Sequence, residues 1–458
     1  MTQPGSSLQT TFNDKEFKIF STDLNTGNRE IHSYFSGQSD VRQPVHVVYG
    51  GAHLYKSDIN DKFSRMSLRM LDEYASSPQA LAAAIRFEGN PEIMDKVYQR
   101  VRNKLEREAL EDFRIDFEDG YGHRGDEAED SCAVSAAEQV AAGMEQGTLP
   151  PFIGIRIKSL GSETWGRGLR TLDLFVTRLC SLTAGKLPDG FVVTLPKITH
   201  RSHVSVLVSA FEILENKIGL AEGALKMEFM VEATQSLWGT NGTLVLPQLV
   251  AVAKERCVAA HFGTYDYTAS VGVTASHQKM DHAACDFAKH IMQVSFAGTS
   301  VFLSDGATTV MPIGPHKGSA AKALSSAQQQ DNKDVIHRSW ALSAANIRHS
   351  LAGGFYQGWD LHPGQLIPRY ATVYAFFLEG LEDASVRLKN FMDQAAKAST
   401  VADVFDDAAT GQGLLNYFLR SLNCGAIAED EVLATGLSIE EIRTRSFMKI
   451  LEGRLTSS

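Results

Sequence analysis

Short apolar runs recur along the chain, and most are closed by a polar or charged cluster. They are HVVYGGAH (46–53), FRIDFEDG (113–120), FIGIRIKS (152–159), GFVVTLPK (190–197), MEFMVEAT (227–234), VAAHFGTYD (258–266), SVFLSDG (300–306) and GWDLHPGQ (358–365). Continuous apolar runs, in place of clean alternation, predict strands buried on both faces, as in a parallel sheet. Helical spacing fills the gaps between them. Ile93, Val97, Val101 and Leu105 form a stripe at i+4 spacing with charges around it. Val204, Leu207, Phe211 and Leu214 form a second. Ala283, Phe287 and Met292 predict a third, just before the seventh strand.

The polar strand ends are evenly spaced. Glu118 to Arg156, Arg156 to Lys197, Lys197 to Glu232, Glu232 to Asp266 and Asp266 to Asp305 are steps of 38, 41, 35, 34 and 39 residues. A strand, a helix and two loops fill such a step, because a βαβ unit takes roughly 30 residues or more. Eight units predict an α/β fold of the (β/α)8 TIM-barrel type, in which every C-terminal strand end meets at one mouth. A doubly wound open sheet is the alternative, but no GxGxxG or Walker A pattern follows any of these strands.

Residues 1–44 are polar and rich in Ser, Thr, Asn and Gly, and are expected to be an N-terminal extension with little core. The barrel is expected over 45–369. Beyond it, Ala371 to Met392 is apolar-periodic, and Ser438-Ile-Glu-Glu441 has the form of a capping box opening a last helix. Residues 370–458 are therefore expected to be a helical C-terminal appendage, placed over a barrel mouth or against a neighbouring subunit.

Composition narrows the partners. Of 458 residues, 43% are hydrophobic and 21% charged, as in an ordinary globular protein. Lys plus Arg less Asp plus Glu is 44 − 54 = −10. An acidic surface repels phosphate backbones, so no nucleic-acid partner is expected, although basic residues inside a cleft can still draw small anions. The five cysteines are scattered, with no CxxC pair, which predicts reduced thiols and neither a disulfide framework nor a structural zinc. The first twenty residues lack the basic and apolar segments of a signal peptide, and no run is apolar enough to span a bilayer. A cytoplasmic location and no membrane partner are expected.

The chemistry lies at the predicted mouth. Strand two brings Asp116, Glu118 and Asp119, strand three Arg156 and Lys158, strand four Lys197, strand five Glu232 and strand six Asp266. Strand seven brings Asp305, and strand eight Asp360 and His362. Carboxylates from separate strands can share an oxygen-ligated divalent cation, and the scarcity of His and Cys beside them favours Mg2+ or Mn2+ over zinc. An arginine near such a cation suits a carboxylate or phosphate held by two oxygens. Such a metal would stabilise an enolate oxygen next to the reacting carbon. Any one of these charges could end a strand merely because loops are wet. Asp116 and Glu118 alternate onto one side of their strand, so one of them is open to a packing role. His53 and His362 each fit a hydrogen-bonded packing residue as well as a chemical one. The joint pattern, polar residues at the same end of successive strands, is what points to a site.

The motif series IDFEDG, GIRIKS, VTLPKIT, MVEAT, GTYD and WDLHPGQ, over roughly residues 45 to 370, resembles the HpcH/HpaI aldolase and citrate lyase β-subunit superfamily, in a longer branch of it. The resemblance implies a (β/α)8 barrel that uses Mg2+ (or Mn2+) to make or break a C–C bond beside a carbonyl. It implies Glu232 and Asp266 as the metal ligands and the pair Glu118 and Asp119 as holders of metal-bound water. It implies that Arg156 grips a substrate carboxylate or enolate oxygen. With these, His53 and Asp360 complete the candidate catalytic set, and Lys158, Lys197, Thr234 and His362 join Arg156 in the candidate substrate-binding set. The chain departs from the pattern in carrying Lys158 where Asn is usual, Tyr265 where Glu is usual, and Gln357-Gly358 where a Gly-Lys pair is usual. The missing lysine argues against acyl-CoA handling. The reading is a Mg2+-dependent carbon-carbon lyase that cleaves a 2-oxo acid or related small anionic carboxylate through a metal-stabilised enolate. Its alternatives are a malate-synthase-like acyl-CoA condensing enzyme and a non-catalytic metal-binding scaffold. A homo-oligomer is expected, because mouths in this superfamily are commonly completed by a neighbour's C-terminal segment.

Overall fold

A computed structural model describes residues 11–35, 42–319, 323–397, 408–433, 436–444, 446, 449–450 and 453. Eight parallel strands close in chain order into one barrel, the last pairing with the first. They are β1 (His46–Gly51), β2 (Asp112–Asp116), β3 (Phe152–Arg156), β4 (Val192–Leu195), β5 (Lys226–Val231), β6 (Cys257–Phe262), β7 (Phe302–Ala307) and β8 (Gln357–Asp360). Each of the eight sequence runs contributes one of them, and a (β/α)8 barrel is the fold.

The helices form where the apolar stripes lie. In Pro91–Arg107, Asn90 caps the start by accepting the Glu92 N–H at 3.0 Å, and Pro91 occupies the first turn, where its missing N–H costs nothing. Met94, Val97, Val101 and Leu105 are buried against the staves. Truncating one of these, such as Leu105, to Ala would cost about 2–5 kcal/mol. Arg201–Ile218 buries Val204, Leu207, Phe211 and Leu214 and stops at Gly219, whose φ of 85° suits the left-handed cap. In Ala283–Phe296 the stripe is carried by Cys285, Ala288 and Met292. Phe287, expected in that stripe, faces solvent at 56% exposure.

The apolar core lies between staves and helices. The barrel lumen is different: apart from Val47, Tyr49, Met230 and Trp359, it is largely polar. Arg114 of β2 binds both oxygens of Glu228 at 2.7 Å each and also pairs with Asp112. Thr194 donates to Glu228 at 2.5 Å, Tyr49 lies 3.3 Å from it, and His261 lies 3.0 Å away.

At the N-terminal end, Asp14–Tyr34 is a helix with a capping box at Asn13 and Glu16. It buries little, since Phe17, Ile19, Phe20, Leu24 and Ile31 are exposed. The rest of the expected extension, residues 1–10 and 36–41, lies outside the described residues. The boundary expected at 369/370 falls inside the helix Leu366–Glu379, which is buried almost throughout and packs on Pro91–Arg107 as part of the barrel's own helical ring. Beyond it, Ala408–Asn423 packs beneath the barrel. Arg420 donates to Gln43 at 3.0 Å and lies 4.0 Å over the Tyr356 ring, and these two residues precede β1 and β8. That end is opposite the mouth. The capping box at Ser438 and Glu441 forms as the spacing predicts, opening Ile439–Arg443. No helix among the described residues is long and apolar enough to cross a membrane.

Candidate active site at the barrel mouth

Arg156 ends β3 in register with Asp116 of β2. Its Nε and Nη2 donate to the two Asp116 oxygens at 2.7 and 2.5 Å. The same carboxylate accepts the backbone N–H groups of Glu118 and Gly120 at 2.9 and 2.7 Å. A side chain on Gly120 would run into it, with a Cβ only 2.5 Å from Oδ2. The Arg156 guanidinium is also faced by aromatic rings, Tyr49 at 4.9 Å and Trp359 at 5.4 Å. Its Nη1 is buried, lies 3.2 Å from Glu118 Oε2, and makes no hydrogen bond. Glu118 Oε2 and the indole nitrogen of Trp359 are buried without a hydrogen-bond partner as well.

Lys197 joins these groups from β4. Its φ of 50° is left-handed, a costly conformation for a residue with a side chain. That turn aims its backbone N–H at Glu232 Oε1, 2.7 Å away, while its ammonium contacts Glu118 and lies 3.1 Å from both Asp119 oxygens. Burial disfavours the charged ammonium, but Glu118 outweighs it and holds the lysine protonated. Glu232 follows β5 and is buried against Gly263, where a Cβ would sit 2.7 Å from Oε2. Burial, then the charges of Glu118 and Asp266, push the Glu232 carboxyl up to about 8. Glu118 is raised by burial and by Asp119 beside it, against the pull of Arg156 and Lys197. For Asp119 those two cations win over burial and hold it below the usual range. Asp266 stands exposed in the first turn of Thr264–Ser270.

Of the residues singled out in the sequence, Glu118, Asp119, Arg156, Lys197, Glu232 and Asp266 therefore come together. Thr234 opens the short helix Thr234–Leu237 next to Glu232. His53 is exposed in the turn after β1, edge-on to Tyr121 at 5.6 Å. His362 caps the turn after β8 by accepting the Gly364 N–H at 3.0 Å, and burial lowers its pKa. Three others lie away from the cluster. Lys158 is buried, donates to the Phe117 carbonyl at 2.7 Å and pairs with Glu129 at 2.8 Å. Asp360 is bound on both oxygens by Arg369 of Leu366–Glu379, at 2.9 and 3.0 Å. Because Trp359 faces the lumen, Asp360 must face the helices. Asp305 likewise turns outward, onto Lys289 at 3.1 Å and Ser350 at 2.6 Å.

Sequence reasoning missed Tyr49 and Trp359 beneath Arg156, and the Arg114–Glu228 layer below them. A signal existed: Asp112, Arg114 and Asp116 alternate along β2, a period-2 polar face inside a run taken as apolar.

The donor set suits a hard divalent cation. Asp116, Glu118, Asp119, Glu232 and Asp266 bring five carboxylates against the cations Arg156 and Lys197, and Glu232 resists ionising beside Glu118 and Asp266. Among the described residues, no three His, Cys, Asp or Glu side chains converge into a ready-made metal cage. Mg2+ does not require one, since it is commonly held through one or two carboxylates, with water and substrate oxygens filling its shell.

The architecture and mouth are thus those of a parallel (β/α)8 barrel with a carboxylate-rich C-terminal face. Within that class the chain belongs to the family defined as a domain of unknown function, DUF6986, whose profile matches residues 24–450. No curated protein matches the sequence. A citrate lyase from Burkholderia xenovorans LB400 shares the fold, at TM-score 0.53 and 16% identity over 86% of this chain and 97% of that one. Malate synthase of Haloferax volcanii aligns at TM-score 0.45 and 14% identity, over 91% of this chain and 98% of that one. An HpcH/HpaI aldolase/citrate lyase family protein from Burkholderia cenocepacia J2315 aligns at TM-score 0.36 and 12% identity, over 72% and 92%. The citrate-lyase resemblance carried by the motifs has its counterpart in a shared fold.

Proposed function

We propose that the protein is a Mg2+-dependent carbon-carbon lyase acting on a 2-oxo acid or a related small carboxylate. One observation carries the reading. A mouth with a surplus of carboxylates also holds a buried arginine, Arg156, whose Nη1 makes no hydrogen bond and only an ion-pair contact with Glu118 at 3.2 Å. Such a site calls for a cation and, beside it, an anion with oxygens to share.

Glu232 and Asp266 would hold the metal, which when bound supplies positive charge to the oxygen of an enolate. Arg156 would bind a substrate carboxylate or enolate oxygen through Nη1, while Asp116 keeps the guanidinium from turning. Lys197 would fix Glu118 and Asp119 so that they orient water or a substrate hydroxyl. In a retro-aldol cleavage the hydroxyl proton leaves to a base, the C–C bond breaks, and its electron pair becomes the enolate.

The test is to incubate the purified protein with Mg2+ and a panel of 2-oxo acids and to identify products by chromatography. Cleavage that needs Mg2+ and falls at least tenfold in Glu232→Gln is the expected result; that factor is about 1.4 kcal/mol of barrier. Mg2+ binding with no turnover on any oxo acid would point to the scaffold, and acetyl-CoA-dependent thiol release to a condensing enzyme.

A further inference from the structure

Trp359 sits on β8 with its ring 4.3 Å from that of Tyr49 and 5.4 Å from the Arg156 guanidinium carbon. With Val47 and Met230 the two aromatics make the one apolar cluster of the lumen, directly under the charged mouth. An indole bound only for packing can leave its N–H in contact with solvent. Here the nitrogen is buried and makes no hydrogen bond, although the residue as a whole is only partly buried. A buried donor left unmet is costly, because it has lost water and gained no partner. Arg156 Nη1, against the same cluster, is in the same condition, although the rest of its guanidinium is bound. Two buried donors without a hydrogen bond thus lie beside the tilted Tyr49–Trp359 pair, and one of them, Nη1, has only an ion-pair contact with Glu118 at 3.2 Å.

We propose that Trp359 is a specificity-determining residue, whose indole N–H, with Nη1 of Arg156, holds one oxygen of the substrate's carboxylate. This rests on the lyase reading for the site and adds to it what the site selects. The aromatic floor made by Tyr49 and Trp359 beside the guanidinium suits a planar carboxylate. The buried, unbonded Oε2 of Glu118, 3.2 Å from Nη1, adds an acceptor beside the two donors. The complement of all three is a carboxylate with a hydroxyl next to it, or the enol of a 2-oxo acid.

Trp359→Phe keeps an aromatic ring over Arg156 and removes the N–H. The probes are oxalate, pyruvate and glycolate, titrated calorimetrically into wild type and variant in the presence of Mg2+, with Mg2+ affinity and melting temperature measured alongside. The expected result is that at least one probe binds the wild type, and that Trp359→Phe weakens it about tenfold or more, as for a hydrogen bond to a charged group. Mg2+ affinity should not change. Equal binding of the probes by variant and wild type overturns the role of Trp359 and leaves the lyase reading standing. Weakened binding in the variant, with no cleavage of any oxo acid by the wild type, supports the role and overturns the lyase reading. No binding of any probe to the wild type overturns both.

Discussion

Arg114 and Arg156 project into the same lumen from neighbouring strands, one layer apart, and each grips a carboxylate with two parallel bonds. They differ in what is left over. Arg114 spends Nε, Nη1 and Nη2 on Glu228 and Asp112, and neither oxygen of Glu228 is buried unbonded. Arg156 spends Nε and Nη2 on Asp116, while Nη1 makes no hydrogen bond and has only an ion-pair contact with Glu118 at 3.2 Å. Around Arg114 the guanidinium itself is fully spent, although both ring nitrogens of His261 beside Glu228 are buried without a hydrogen bond, and the role of the network is to fill a polar lumen that would otherwise hold bare charge. The same side chain one layer higher is held as rigidly but leaves one nitrogen without a hydrogen bond. Buried arginines are thus told apart by their unmet donors and not by burial or pairing.

The largest expected effect breaks the closed member of the comparison. Arg114→Met should cost about 3–5 kcal/mol in urea unfolding, because Asp112 and Glu228 are left buried without their cation. A loss under about 1 kcal/mol would mean that Glu228 finds other partners and that the network is not what fills the lumen.

Next in size is an effect of acid on a second buried polar network, on the helix side of β1. His46 is fully buried and its Nε2 accepts the Glu111 N–H at 3.1 Å, which requires a neutral ring. Burial lowers its pKa from 6.5 to about 4, against the pull of Asp360 and Glu111. Between those values the unfolded chain takes up a proton that the folded chain refuses. Stability from this group is therefore complete above pH 6.5 and declines by about 3 kcal/mol as the pH falls to about 4. Urea midpoints measured across that range should slope in the wild type and flatten in His46→Gln. Parallel slopes in the two proteins would reject the assignment.

The smallest effect in energy probes the open member. Arg156→Lys preserves charge but not the planar fork. On the true substrate kcat should fall at least about tenfold, or about 1.4 kcal/mol of barrier, and KM alone should not absorb the change. A lysine variant that melts early but turns over normally per folded molecule would move Arg156 to the class of Arg114.

Much of this was legible in the sequence. Eight strands followed from the apolar runs, and six of the mouth residues from the charges that close them. What failed was the direction of individual side chains. Asp360 at the end of β8 and Asp305 near the end of β7 have the right chemistry, yet the lumen is reached by Trp359 and Gly306 next to them. In a strand buried on both faces, an apolar run has no visible phase, so a one-residue offset cannot be read from it. Lys158 failed for another reason. It lies beyond the last paired residue of β3, where alternation no longer governs, and Glu129 of the helix Asp126–Gln146, between β2 and β3, captures it. The lumen network was missed because Glu228 and Arg114 sit inside runs dominated by apolar neighbours. Only their placement two and four residues from known mouth positions marks them.

The left-handed turn at Lys197 has a meaning for how this sequence could be altered. A glycine would adopt that conformation at no steric cost, and the relief for a residue with a Cβ is on the order of 1 kcal/mol. The chain carries instead the residue whose ammonium gathers Glu118 and Asp119. Position 197 is thus a place where a library selected for thermostability alone would drift to glycine and disarm the mouth, a trade between robustness and chemistry confined to one residue.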